Sequence, residues 1–166
     1  MISDSRARRM KRRRSTFGGT IAETGPAIFI LLLMLFFPLL NLVAMSAAYF
    51  SCATLNDLQL REAALLPKKE AQDPNGTVCK KIPDDWKSKG IGNFVGLQQP
   101  VNTQVDYVAG TADTQKRQDM EVRVTTRVRI SPFLTIPFFP GIPGLGAPMD
   151  FQIQTQRLVE NQNNAQ

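Results

Sequence analysis

From Ala27 to Phe50 the chain runs 24 residues without a formal charge, interrupted in its apolar character only by Pro38, Asn41 and Ser46. A helix of that length is about 36 Å long at 1.5 Å per residue, enough to cross a hydrocarbon core. Tyr49 and Phe50 close the run, as aromatic residues do at a membrane interface. Pro38 removes a backbone donor and predicts a kink. At the near end Gly25-Pro26 leaves two readings open. Either regular helix begins at Pro26, with Thr24 as its cap and Glu23 in an extended entry, or the helix already includes Glu23.

Past the apolar run the period changes. Over 51–66, Leu55, Leu58, Leu60, Ala63, Leu65 and Leu66 are interleaved with Asn56, Asp57, Gln59, Arg61 and Glu62. Spacings of three and four predict an amphipathic extension of the same helix, ended by Pro67. Residues 67–100 read as loop, with a turn at Asp73-Pro74-Asn75-Gly76 and breakers at Pro83, Gly90, Gly92 and Pro100. Period two then takes over. Val101, Thr103, Val105 and Tyr107 alternate with polar neighbours. Over 120–130, Val122, Val124, Thr126, Val128 and Ile130 share one face and Glu121, Arg123, Thr125, Arg127 and Arg129 the other. Over 150–159, Phe151, Ile153, Thr155 and Val159 share a side that Arg157 breaks. Three strands with one apolar face need a cover, and the amphipathic helix is the obvious one. The expected fold is therefore α+β: a long N-terminal transmembrane and amphipathic helix packed on a small antiparallel sheet. The segments are a basic leader (1–18), a transmembrane helix (19–50), its amphipathic extension (51–66), an extracytoplasmic loop and sheet domain (67–160) and a frayed tail (161–166).

Between the second and third strands, residues 132–148 carry no charge, five prolines and three phenylalanines. Proline keeps such a segment out of a ladder. Two readings stand: a loop folded over one edge of the core, or an exposed patch for a partner or the membrane. Its candidate contact residues are Phe133, Ile136, Phe138, Phe139, Ile142 and Leu145.

Charge sharpens the picture. The net charge of +6 comes from the leader: residues 1–18 hold seven Lys/Arg against Asp4, and the remainder holds 13 basic and 13 acidic residues. A folded part that is neutral by count argues against nucleic-acid binding, which needs clustered cations. Basic residues ahead of an apolar span place the N-terminus in the cytoplasm and everything after Cys52 outside. There is no histidine, no glycine-rich phosphate loop and no nucleophile elbow, so the chain reads as neither an enzyme nor a small-molecule or cofactor binder. Cys52 and Cys79 would share an oxidising compartment, which favours a disulfide. Closing a loop of about 26 residues would contribute roughly 3.5 kcal/mol.

The leader carries the sharpest motif. Arg6, Arg8, Arg9, Lys11, Arg12, Arg13 and Arg14 precede Gly18, and Glu23 is the fifth residue after that glycine, at the mouth of the apolar run. A carboxylate there is costly in lipid and so points to function. Basic leader, Gly18-Gly19-Thr20-Ile21-Ala22-Glu23 and membrane helix together resemble the class III signal of type IV pilins, and most closely TadE-like pseudopilins of tight-adherence (Flp-type) pilus systems. Leu60-Arg61-Glu62-Ala63-Ala64 is similar to the Ala-rich helix that follows the span in such chains. The family favours an aromatic residue after the glutamate, whereas this chain has Thr24, and Pro26 follows unusually closely. The resemblance covers roughly 6–66. It implies cleavage between Gly18 and Gly19 by a membrane prepilin peptidase, a bacterial inner-membrane location, and assembly with other pilin or pseudopilin subunits. Removal of the leader would free an α-amino group at Gly19 able to pair with Glu23 of the same or a neighbouring chain, which would fix register. The competing expectation is an uncleaved, single-pass anchor for a periplasmic binding module. Weaker alternatives are signal-peptidase cleavage at Ala44-Met45-Ser46-Ala47 and acylation of Cys52 in the box Tyr49-Phe50-Ser51-Cys52.

Overall fold

The computed structural model describes residues 17–89, 91–94, 96–110, 119–135, 139–160 and 162, with the side chains of 17–23, 89, 91 and 94 outside that description. The chain divides into two compact units, Met1–Phe36 and Phe37–Gln166. In the first, α1 spans Phe17–Leu31 and is followed by a π-helical turn, Leu32–Phe36. Helix therefore starts ahead of Gly18 and Gly19 and continues through Pro26, so Thr24 does not cap it and Glu23 lies on it. Ile28, Phe29, Ile30, Leu31, Met34 and Leu35 are all more than half exposed.

In the second unit α2 spans Phe37–Leu65. Pro38 is its second residue, and the π-helical turn directly precedes it. A proline cannot donate to the carbonyl four residues back, and its ring crowds that carbonyl, here Met34. Widening the preceding turn is the local answer to the kink expected from sequence. Helix Thr24–Leu65, taken across both units, is long and apolar enough to cross a membrane.

Three strands form the sheet: β1 (Asn102–Ala109), β2 (Met120–Ile130) and β3 (Met149–Leu158), antiparallel in the order β1-β2-β3. The register sets Thr103 beside Thr126 and Val105 beside Val124. Across the other edge of β2, Val124 pairs with Thr155 and Thr126 with Ile153. β2 is the central strand, and its expected inner face is buried throughout: Val122, Val124, Thr126, Val128 and Ile130. α2 lies over this face and divides the core. One cluster gathers Leu60, Ala63 and Ala64 with Val105, Val122, Val124 and Val159; the other gathers Met45, Cys52 and Leu55 with Trp86, Val128, Ile130 and Ile153.

The phase of the amphipathic helix differs from the sequence reading. Asn56 and Gln59 are fully buried, whereas Leu58 and Leu65 are about half exposed. The buried line is Asn41, Met45, Ala48, Cys52, Leu55, Gln59 and Ala63, which advances by three and four and continues well back into the apolar run.

Residues 67–100 are also not the loop they resemble. Beyond Pro67 come α3 (Lys68–Ala71), a π-helical turn (Thr77–Lys81), α4 (Ile82–Lys89) and a 3-10 turn (Ile91–Phe94). Pro83 is the second residue of α4, directly after the π-helical turn as Pro38 is in α2, and Asp84 and Asp85 follow it in the first turn. α4 delivers Trp86, the one tryptophan, into the second cluster. The turn at 73–76 forms as expected, with Gly76 N–H donating to the Asp73 carbonyl at 2.9 Å and Asn75 N–H to Asp73 Oδ1 at 2.9 Å. In the expected tail, Gln162 is instead docked: its Oε1 accepts from Met120 N–H at 2.7 Å and its Nε2 donates to the Val159 carbonyl at 3.0 Å. Residues 161 and 163–166 lie outside the described residues.

Candidate functional site

The two glycines and the glutamate of the leader motif stand on α1 by backbone; the Glu23 side chain and residues 1–16 are outside the description. The functional surface that can be built in detail is therefore the second unit's: α2, what it buries and what it leaves exposed.

The buried side of α2 is joined to the sheet by polar groups at two levels. At the middle level, Asn56 Nδ2 donates to Thr126 Oγ1 at 2.8 Å and the Val124 carbonyl at 3.2 Å, and Asn56 Oδ1 accepts from the Thr155 hydroxyl. Thr126 Oγ1 in turn donates to Gln59 Oε1 at 2.7 Å. Gln59 Nε2 donates to Thr103 Oγ1 at 2.7 Å and the Val78 carbonyl at 2.8 Å. Two helix amides thus engage one threonine from each strand and lock α2 to all three. A buried polar network this complete fixes one axial position and rotation of the helix, because a shift of one turn would leave several groups unpaired. Sequence reasoning placed Asn56 and Gln59 on the solvent side. The available signal was on the strands: Thr103, Thr126 and Thr155 each interrupt an otherwise apolar face.

At the lower level, nearer the start of α2, Asn41, fully buried, meets the apolar 132–148 loop. Its Nδ2 donates to the Leu134 carbonyl at 2.6 Å and its Oδ1 accepts from Leu134 N–H at 2.8 Å. A second, longer bond runs from Nδ2 to the Leu145 carbonyl at 3.5 Å. The loop turns back on itself at Gly141 and Gly144, both in the left-handed region (φ 77° and 81°) that glycine occupies freely. Gly144 lies against Met45. Described parts of the loop's backbone bond to Asn41 of α2, while Phe133 and Ile142 stay exposed (60% and 44%). Phe139 and Leu145 are half-buried, and Ile136 and Phe138 lie outside the described residues.

The side of α2 turned away from the sheet carries a second set of apolar residues: Leu39, Val43, Phe50, Leu58 and Leu65, each 45% or more exposed. Ser46 and Thr54 on this side turn their hydroxyls back to the Leu42 and Phe50 carbonyls, at 2.8 and 3.0 Å. Asp57 and Arg61 pair with each other at 2.8 Å in the same region, so the face carries little net charge. The outer face of the sheet is different in kind. Arg123 and Arg127 reach Gln156 and Gln152, each at 3.2 Å, and Arg129 approaches Asp150 at 3.8 Å.

The expected Cys52–Cys79 disulfide is absent; both thiols are free. The two sit in different parts of the core, Cys52 in the second cluster and Cys79 against the first. Cys52 is fully buried in the second cluster. Cys79 packs on the first cluster, near the Ala71 carbonyl at 3.8 Å; burial, and then the charge of Asp73, raise its thiol above the ordinary range. Among the described residues no group of three His, Cys, Asp or Glu side chains could hold a metal ion. No protein-family model matches this chain, and neither does any curated protein or solved structure.

Proposed function

We propose that this chain is a pilin-like, single-span protein of the bacterial inner membrane, processed by a prepilin peptidase between Gly18 and Gly19 and then incorporated into an Flp-type pilus or a related filament. The work it does is assembly. Its helix is the polymer contact, Glu23 pairs with the new amino terminus in register, and the outer face of the sheet presents the subunit's specific surface. The observation that carries the reading is the two-sidedness of α2. One side is satisfied by the chain's own sheet, and the opposite side keeps Leu39, Val43, Phe50, Leu58 and Leu65 open to a neighbouring helix. A plain anchor has no use for an apolar helix face that continues past the membrane. The leader's charge and the Gly18-to-Glu23 spacing supply the processing half of the reading.

A second reading, an uncleaved anchor carrying a periplasmic module, draws on a different observation. The backbone is helical across Gly18 and Gly19, and a protease must open a helix before it can cut. The N-terminal sequence of protein purified from its native host separates the two. A start at Gly19 is expected, and an intact leader would overturn the assembly reading. Given processing, Glu23→Ala inserts in the membrane but is not recruited to the filament; normal recruitment would remove the electrostatic part of the proposal.

A further inference from the structure

The sheet is irregular where β1 begins. Asn102 pairs with Arg127, and the chain ahead of it next meets β2 at the bridge between Leu97 and Ile130. It takes five steps between those points where β2 takes three, so two residues are surplus and the segment bulges. Gln98 N–H still reaches the Arg129 carbonyl at 3.0 Å, and Val101 packs against the second core cluster. Pro100 has no donor to offer a ladder, and Gln99 and Pro100 stand exposed. A bulge re-aims the side chains around it, and here it borders a cleft of about 520 Å³ at the end of the sheet.

The bulge contributes Gln99 to the cleft and β1 contributes Asn102; β2 adds Arg127 and Arg129, and β3 adds Asp150 and Gln152. The register arranges most of these in two rows. Asn102, Arg127 and Gln152 stand side by side across all three strands, and Arg129 beside Asp150 follows two residues on. Gln152 Oε1 accepts from Arg127 Nε at 3.2 Å. That bond steadies the guanidinium and leaves its terminal nitrogens without a partner among the described residues. Arg129 Nε lies 3.8 Å from Asp150, beyond hydrogen-bond reach, and both side chains are exposed. An exposed pair at that distance holds weakly, so a ligand can replace it.

A guanidinium fork takes a carboxylate or a phosphate through two parallel hydrogen bonds. Charge decides between them. Two guanidiniums against the Asp150 carboxylate leave the cleft one positive charge. That balances a carboxylate and falls short of a phosphate dianion, whose oxygens Asp150 would also repel. The remaining polar lining is amide: Gln99, Asn102 and Gln152 each donate and accept, and Asp150 accepts, as a row of hydroxyl groups requires. The volume is that of a small-ligand site. We propose that this cleft binds an acidic saccharide, one hexuronate unit of a polysaccharide, with its carboxylate on the Arg127 fork and its hydroxyls on the amides and Asp150. The site belongs to the sheet and the bulge beside it, and it depends on neither processing, filament assembly nor a membrane span.

The test is isothermal titration calorimetry of the full chain in micelles of a sugar-free detergent, with digalacturonate, its dimethyl ester and inorganic phosphate as probes. Saturable binding of digalacturonate is expected, weaker by about tenfold or more for the ester, which keeps the hydroxyls and loses the charge. Equal binding of acid and ester, or no binding of the acid, overturns the proposal. Tighter binding of phosphate than of digalacturonate overturns it too, and assigns the arginines to phosphate. Arg127→Gln and Arg127→Lys should each weaken digalacturonate by about tenfold or more, since lysine restores the charge but not the fork. Arg123→Gln removes the same charge from the same face, outside the cleft, and should leave binding as it was. If it weakens binding as much as Arg127→Gln does, the attraction is diffuse and there is no site. Should Arg127→Gln fail to fold, judged by Trp86 emission, Asn102→Ala takes its place. That variant should weaken acid and ester alike, and unchanged binding of both overturns the assignment of the amides.

Discussion

Replacing Gln59 with leucine tests whether polar groups, rather than apolar packing alone, hold the helix on the sheet. The substitution keeps the volume and removes three hydrogen bonds, to Thr103, Thr126 and the Val78 carbonyl. At about 1 kcal/mol per bond, with a further penalty for a Thr126 hydroxyl left without its acceptor, Gln59→Leu should cost roughly 2–4 kcal/mol. Thr126→Val removes the shared bond and the acceptor of Asn56 Nδ2, for roughly 1–3 kcal/mol. Because both variants delete the same bond, the double variant should be more stable than the sum predicts by about 1–2 kcal/mol. The assay is urea unfolding of the full chain in detergent micelles, followed by the emission of Trp86, which is buried in the second cluster, and by far-UV circular dichroism. Additivity within about 0.5 kcal/mol would refute the network, and the helix would then be held by its leucines and alanines alone.

Three further outcomes follow from the same core. A Cβ on Gly92 would stand 2.5 Å from the Trp86 ring, so Gly92→Ala should lose about 1–3 kcal/mol and shift Trp86 emission, measured on the same unfolding curves. Ser51 Oγ is buried without a hydrogen-bond partner among the described residues, so Ser51→Ala should be neutral or stabilising by about 1 kcal/mol; a loss beyond about 1 kcal/mol would mean that the hydroxyl is engaged. Iodoacetamide should leave Cys52 unmodified until the protein unfolds, while Cys79 reacts slowly in the native state. Since burial and Asp73 raise the Cys79 thiol, its alkylation rate should rise at higher pH than that of a free cysteine, and Asp73→Asn should move that rise down in pH.

The strands were legible because a sheet with one buried face writes its structure in period two. β2 has the predicted bounds and inner face to the residue, since it is central and every alternate side chain meets the helix. The helix was legible in length but not in phase. Leu58 and Leu65 mark an apolar side that the chain's own sheet does not use, while Asn56 and Gln59 are buried because partners elsewhere in the chain satisfy them. A rule that reads polar as exposed cannot anticipate those partners. The helices within 67–100 were hidden by proline and glycine, which break structure only inside an element. Pro67 and Pro83 stand at helix starts, and Gly92 is where Trp86 needs close approach. The leader motif is the reverse case. It is plain in the sequence, and the partners proposed for it, a protease and a neighbouring subunit, would leave no mark on the fold of a single chain.

The polar groups on the buried side of α2 also fix where the sheet and the 132–148 loop sit along the helix. Apolar packing between a helix and a sheet discriminates weakly between neighbouring axial positions, whereas buried polar groups must meet their partners. Asn56 and Gln59 fix the sheet's level by matching one threonine per strand. Asn41 fixes the loop's level four turns below Asn56. Those positions divide the helix by function. Within the second unit, α2 has one side closed by the domain from Asn41 onward, and the opposite side carries exposed apolar residues together with the Asp57–Arg61 pair. Stability of the unit then comes from one face of α2, and the assembly proposed above would have to use the other, because a contact that competed with its own sheet would unfold the unit.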